Sequence, residues 1–298
     1  MASALAALAL MVNAFVWGVS WWPFRALNEL GVHPLWATAF LYLVALVCLF
    51  VVRPAVWRTF VRFPALWLLF LTAGCTNLGF NWAVTTGDVV RVVLLFYLMP
   101  AWVVLLAWPL LGEKPTAGSL ARLALAMLGV VVVLKSPTTA WPWPESTADW
   151  LALMGGLAFA LTNIMLRKLR GAPPAATVLA MFGGAAGMAA LAALLGMQQG
   201  LVAAPPAPAW NWLVWVAVLG MAFLAGNLGL QYGAARLSAN TTSLIMLSEV
   251  VFASASSVLL GASELSPRTV LGGSLILLAA LLSAVSLGRK PGSPVASA

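Results

Sequence analysis

Apolar residues run nearly unbroken for about twenty positions at a time, ten times along the chain. The runs cover roughly residues 4–24, 34–52, 65–84, 89–111, 118–134, 150–166, 175–196, 210–230, 240–260 and 269–288. They are apolar on every face and close to the ~20 residues a helix needs to cross a hydrocarbon core. Each run therefore predicts a membrane-spanning helix. Strands of a membrane barrel would alternate apolar and polar over about ten residues, which excludes that architecture. Turn-formers punctuate the runs: His33-Pro34, Arg53-Pro54, Thr85 to Asp88, Gly112 to Thr116, Arg170 to Pro174 and Ser266-Pro267-Arg268.

Composition agrees with the pattern. Only 7% of the 298 residues are charged and 63% are hydrophobic, with a mean hydropathy of +1.03, against about 25% charged in soluble domains. Such a chain cannot build a water-facing surface, and its loops are too short for a separate extramembrane domain. The net charge of +8 does not indicate nucleic acid, because the cations are scattered over short loops and form no stripe. Cys48 and Cys75 lie in apolar runs, where a thiol packs as a small residue, and no disulfide framework follows. The first segment has no basic region before its apolar stretch and is expected to be a span rather than a cleaved signal.

Orientation follows from lysine and arginine. With the N-terminus inside, the cytoplasmic loops hold Arg53, Arg58, Arg62, Lys114, Arg122, Arg167, Lys168, Arg170, Arg236, Arg289 and Lys290, eleven cations. The outside holds four, Arg25, Arg91, Lys135 and Arg268, with Glu29, Asp88, Glu145, Asp149 and Glu264. The first hairpin argues the other way, but the sum places both termini in the cytoplasm. The expected location is a bacterial-type inner membrane.

An internal repeat carries the most information. Residues 77–83, NLGFNWA, match 227–233, NLGLQYG, at a shift of 150; a shift of 142 aligns Trp17 to Trp21 with Phe159 to Asn163 and Arg25 with Arg167. The difference is absorbed by a longer loop before the eighth segment. Each half then has five spans, residues 1–137 and 148–290, followed by a disordered cytoplasmic tail at 291–298. An odd number of spans inverts the second copy, so the expected fold is an all-α polytopic membrane protein of ten transmembrane helices, two inverted five-helix repeats around a central cavity. Inverted repeats place a site near the midplane between halves that can rock.

Several polar and aromatic residues are candidates for that site. Glu249 is an acid deep inside an apolar run; such residues face the bundle interior and often mark a pathway. It can accept a substrate ammonium or exchange protons, or it can be a carboxyl bonded to neighbouring helices. Asn77 and Asn81, one turn apart, are echoed by Asn227 and Gln231. These four amides can line a cavity, or hold helices together, and Gly79 and Gly229 beside them favour close packing. Asn13, Trp17 and Trp21 form a stripe at helical spacing, with Asn163 aligned to Trp21; Tyr97 and Trp102 flank a kink expected at Pro100. Such a stripe is a packing face or an aromatic cage. Nine further tryptophans, Trp36, Trp57, Trp67, Trp141, Trp143, Trp150, Trp210, Trp212 and Trp215, are assigned to the membrane interfaces. Asp88 reads as a helix cap and His33 as a turn residue. Pro23 and Pro100 are candidate hinges. No hydrolase, nucleotide-binding or zinc motif occurs, so no cofactor or metal is expected.

The run WGVSWWPFR at 17–25, the NLG-containing third and eighth segments, and LMPAWVVLLAWPLLGEKPT at 98–116 resemble the drug/metabolite transporter superfamily in its ten-helix, EamA-type branch. The second copy departs from the pattern: Val250 stands where proline is usual and Glu264 sits about one residue late, so its kink and loop cap do not follow from the sequence. The tryptophan-rich first segment and the LSEVV run at 247–251 are most similar to YddG-type aromatic amino acid exporters. The resemblance implies a secondary transporter rather than an enzyme, exporting aromatic and other neutral amino acids and related metabolites by alternating access. The substrate-binding set expected is Trp17, Trp21, Asn77, Asn81, Tyr97, Trp102, Asn163, Asn227, Gln231 and Glu249. The alternatives are a proton-coupled exporter of lipophilic cations or drugs and, from other classes, a receptor or an intramembrane enzyme. A nucleotide-sugar carrier fits poorly, since no cation lies at mid-membrane to meet a phosphate. The partners expected are a small-molecule substrate and the lipid bilayer, with no nucleic acid and a monomeric assembly.

Overall fold

A computed structural model describes residues 2–112, 114–134, 143–169, 171–234, 236–237, 242 and 245–287, which are all helix, turn or loop. The expected tail, with Arg289 and Lys290, lies outside the described residues, as do Glu113, Lys135, Trp141 and Arg170. Thirteen helices appear among the described residues: α1 Ala2–Val19, α2 Trp21–Glu29, α3 Pro34–Val52, α4 Val56–Val61, α5 Leu66–Thr86, α6 Val89–Phe96, α7 Met99–Leu111, α8 Ala117–Leu134, α9 Thr147–Lys168, α10 Pro174–Gln198, α11 Trp210–Ala234, α12 Ser248–Leu259 and α13 Pro267–Leu287. Six stretches are long and apolar enough to cross a membrane, and three shorter helices are also apolar. The tenth span is α5, 21 residues whose threonines and asparagines dilute its apolar character. This is a ten-span, multi-pass membrane fold. The short α4, made of VWRTFV between two arginine–proline turns, has no counterpart in the apolar pattern.

Two spans break four residues before a proline, for a physical reason. Proline has no N–H and its ring collides with the carbonyl four residues back. Pro23 thus ends α1 at Val19, with Ser20 between α1 and α2; Pro100 ends α6 at Phe96, and the chain turns through Tyr97 and Leu98 before α7. The second copy breaks too, at Leu247, although Val250 replaces the proline. There the Val250 N–H bonds Leu247 O at 3.2 Å, and Ser248 Oγ donates to Ile245 O at 2.6 Å, a local bond that competes with the helical ladder. The loop cap also persists: Gly112 and Gly261 both take a left-handed φ, +73° and +66°, where glycine pays no steric cost.

Helix packing repeats between the two halves. α5 of the first half packs on α9 of the second, and α11 of the second packs on α1 of the first; α5 also packs on α10 as α11 does on α3. The pairs α3–α10 and α8–α13 map onto themselves. The match reaches single atoms. A Cβ built on Gly79 would lie 2.8 Å from Leu151 O, and one on Gly229 would lie 2.7 Å from Ala9 O. Those positions are related by the shifts of 150 and 142 read from the sequence. Small residues let membrane helices approach this closely.

The ends of the bundle have their own fastenings. His33 caps α3, its Nδ1 accepting from Leu35 N at 3.2 Å, and burial pushes its pKa below 6.5. Asp88 caps α6 through Arg91 N at 2.8 Å. Two of the tryptophans assigned to interfaces are buried within the protein: Trp36 and Trp212 donate to Ala203 O and Ala207 O, both at 3.1 Å. They pin the long loop before α11, whose carbonyls have no ladder of their own.

Candidate functional site

The three broken spans set the site. Tyr97, in the turn between α6 and α7, is buried; its hydroxyl lies 3.3 Å from Glu249 Oε2 and 3.4 Å from Met246 O. Glu249 is half-buried, in the first turn of α12 just after the break at Leu247. A carboxylate, a phenol and an unladdered carbonyl therefore meet where a break in one half faces a break in the other. Asn13 of α1 reaches the same place. It is 1% exposed, its Nδ2 lies 3.5 Å from Met246 Sδ, and its Oδ1 has no partner. An orphaned buried acceptor is costly, so this group is suited to a ligand N–H. Close packing holds the arrangement: a Cβ on Gly18 would lie 2.7 Å from Glu249 O.

Aromatic rings flank this polar group. Trp17 is half-buried, its ring 4.5 Å from Phe223 of α11 and 6.1 Å from Phe80 of α5, and Phe80 lies 4.6 Å from Phe96. Trp17 packs against both main buried clusters of the bundle. Trp102 joins the cluster that holds Tyr97, and its indole N–H is buried without a partner. A water-sized cavity of about 10 Å³ lies between Tyr97, Arg122 and Ile276. Pro23 and Pro100 stand at the breaks that border the site.

The remaining expected residues divide. Asn77 accepts from the Tyr42 hydroxyl and donates to Ala73 O, and Asn81, fully buried, donates to Thr38 Oγ1 at 3.1 Å. Both thus fasten α5 to α3, while Asn81 Oδ1 is buried without a partner. Asn163 donates to Phe159 O of its own helix at 2.9 Å. Asn227 and Gln231 bond each other at 2.6 Å, with Gln231 exposed. The two amide pairs are bonded differently: α3 presents Tyr42 and Thr38 to the first pair, and among the described residues the second pair bonds within itself. Trp21 is buried with Nε1 on Ser256 Oγ at 2.9 Å, tying α2 to α12 away from Glu249.

One end of the bundle carries an ion pair. Arg91 of α6 grips Asp149 of α9 through two parallel bonds, Nε to Oδ1 at 2.9 Å and Nη2 to Oδ2 at 2.8 Å, and reaches Val133 O of α8. Asp149 Oδ2 also accepts from Glu145 N at 3.0 Å. Nearby, Arg25 donates to Gly87 O. Neither the Arg91–Asp149 pair nor Met246 was singled out in the sequence; Asn13 was visible there only as one step of the Trp17 stripe.

Ten spans in two matched halves, broken where they meet, agree with the comparison by family. The family model described as EamA-like transporter family matches residues 4–135 and again 146–285. The chain belongs to the EamA-like transporter family. It is accordingly a membrane transporter of the drug/metabolite transporter superfamily, with a small-molecule substrate and lipid around it. No curated protein matches it. Among solved structures, one titled "Crystal structure of protein" shares 19% identity over 95% of this chain and 99% of that one, with a TM-score of 0.56; at that identity the likeness shows the fold alone. Among the described residues of this EamA-like transporter, no cluster of three or more His, Cys, Asp or Glu could hold a metal.

Proposed function

We propose that this transporter exports amino acids, aromatic and other neutral ones, and related metabolites by alternating access, without ATP. The observation that carries the reading is the meeting of Glu249 and Tyr97 across the two halves, beside the ring of Trp17. An ionised carboxylate at mid-membrane is costly, about 2.5–3.5 kcal/mol on insertion scales. A substrate ammonium relieves that cost, with Met246 O and Asn13 Oδ1 as further acceptors. The substrate side chain packs against Trp17, Phe80 and Phe223. Its carboxylate takes an N–H bond from the unpartnered indole of Trp102. When the substrate leaves, a proton on Glu249 keeps the site neutral while the halves reset. The breaks at Pro23 and Pro100 supply the hinges. The proposed setting is a bacterial-type inner membrane, with both termini cytoplasmic and the chain acting as a monomer.

The test is flux of labelled phenylalanine and tryptophan from liposomes carrying the purified chain, with and without an imposed pH gradient. Saturable flux that largely disappears in Glu249→Gln supports the reading. Amino-acid flux no faster than through empty vesicles overturns it. A carboxylate bordered by rings also suits lipophilic cations; that second reading predicts that Glu249→Gln abolishes cation transport and leaves neutral substrates unaffected.

A further inference from the structure

A second cavity, of about 330 Å³, opens between the halves and away from Glu249. Its lining comes from α2, with Trp21, Trp22, Arg25 and Glu29, and from the turn after α12, Leu260 to Ala262. The volume lies in the range of small-molecule sites. The left-handed turn at Gly261 keeps the second wall open, since no atom lies within 4 Å of a Cβ built there.

The chemistry of the lining is specific. Arg25 and Glu29 stand one helical turn apart on α2, a spacing that puts both on one face. Glu29 is exposed and makes no ion pair among the described residues, and Arg25 feels the charges of both Asp88 and Glu29 without a direct ion pair to either. Arg25 is held in place from two sides: one Nη donates to Gly87 O, and the guanidinium lies 5.1 Å from the ring of Trp21. Trp21 is itself fixed by Ser256. Among the described residues no hydrogen bond is made by the second Nη of Arg25, and its Nε is buried without a partner. Trp22, 50% exposed, is propped edge-on against Trp215 at 5.5 Å. A fixed cation, a free anion one turn away and two anchored indoles make a receptor for a zwitterion.

We propose that this cleft binds a zwitterion whose anionic group meets Arg25 and whose ammonium meets Glu29, with apolar substituents against Trp21 and Trp22. The shared chemistry is an acid and an ammonium a few atoms apart, as in a free amino acid or an ethanolamine headgroup. The cleft is separate from the Glu249 site and does not depend on its assignment. Charge bias places this end outside, so an occupant there meets exported substrate or the outer leaflet.

The test uses the full chain carrying Glu249→Gln, so that the central site is silenced, in nanodiscs of phosphatidylglycerol, a lipid without ammonium. Labelled phenylalanine and labelled phosphoethanolamine are the probes. At least one should bind saturably at one site per chain. Phenethylamine and phenylpropionate, each with one charge, should displace it roughly tenfold less well than phenylalanine, as expected when one charged hydrogen bond is missing. Adding Glu29→Gln, which removes no contact within the protein, should weaken the probe by a similar factor. Phosphatidylethanolamine in the disc that abolishes probe binding assigns the cleft to headgroups; unchanged binding assigns it to free amino acids. Both outcomes support a zwitterion site. Binding of neither probe, displacement by the single-charge analogues equal to that by phenylalanine, or an unchanged Kd in Glu29→Gln overturns it. Cleft binding that persists while wild-type liposomes show no flux removes the export reading and leaves the cleft standing; flux without cleft binding does the reverse.

Discussion

Replacing Asp149 with asparagine should loosen the end of the bundle where Arg91 ties α6 to α9. The side chain of Asp149 is 3% exposed and that of Arg91 25%. Asparagine keeps one acceptor oxygen but turns an NH2 toward the guanidinium, so the two-bond grip is lost. Truncating one partner of a buried, hydrogen-bonded ion pair costs about 2–5 kcal/mol. The lower end applies, because Arg91 is partly solvated and keeps Val133 O at 3.3 Å. About 2 kcal/mol corresponds to a roughly 30-fold shift in an equilibrium constant. The pair joins α6 of one half to α9 of the other at one end of their packed faces, so an opening that parts them there must break it. Opening there should therefore become ~30-fold more populated. The assay is the labelling rate of a cysteine at Phe80, with Cys48 and Cys75 changed to serine, by a membrane-impermeant thiol reagent applied from the Arg91 side. Phe80 is buried between Trp17 and Phe96, so labelling reports opening. An unchanged labelling rate together with a lowered Tm would mean that the pair only staples the fold, and the gating argument would be refuted.

Three further outcomes are expected. Gly18→Ala places a methyl 2.7 Å from Glu249 O and from Phe252 Cβ; overpacking of this kind costs about 1–3 kcal/mol and displaces α12, so flux should fall by more than tenfold even where the chain still folds, and unchanged flux would show that the position of Glu249 is immaterial. Tyr97→Phe removes the hydroxyl shared with Glu249 and Met246; in a double-mutant cycle with Glu249→Gln the losses in flux should be less than additive, since neighbours that act together couple, and strict additivity would separate the two. His33 has a pKa lowered by burial, so the folded chain binds protons less readily than the unfolded one; its contribution to stability is complete above about pH 6.5 and is lost as pH falls through the folded value. Between about pH 7 and pH 5, Tm should drop less in His33→Asn, which keeps a capping side chain, than in the wild type, and equal drops would place the titration elsewhere.

How far each feature could be read from the chain follows from where its cause lies. The span Pro34–Val52 coincides with its apolar run because lipid forces every backbone N–H and C=O to be satisfied inside the segment, so composition alone determines the helix. The breaks before Pro23 and Pro100 are equally local. The halves were legible through NLGFNWA and NLGLQYG, and the close approaches of Gly79 and Gly229 use those same registers. Side-chain direction was not legible, since a helix apolar all round carries no preferred side. Asn77 and Asn81 face Tyr42 and Thr38, partners 35 and 43 positions away, and nothing in their own helix says so. The break at Leu247 lacks the proline that would announce it. Glu249 stood out as a buried acid, but only the packing of α6, α7 and α12 could bring Tyr97 and Met246 to it, because contacts between spans depend on how neighbouring helices are rotated and not on the composition of any one of them.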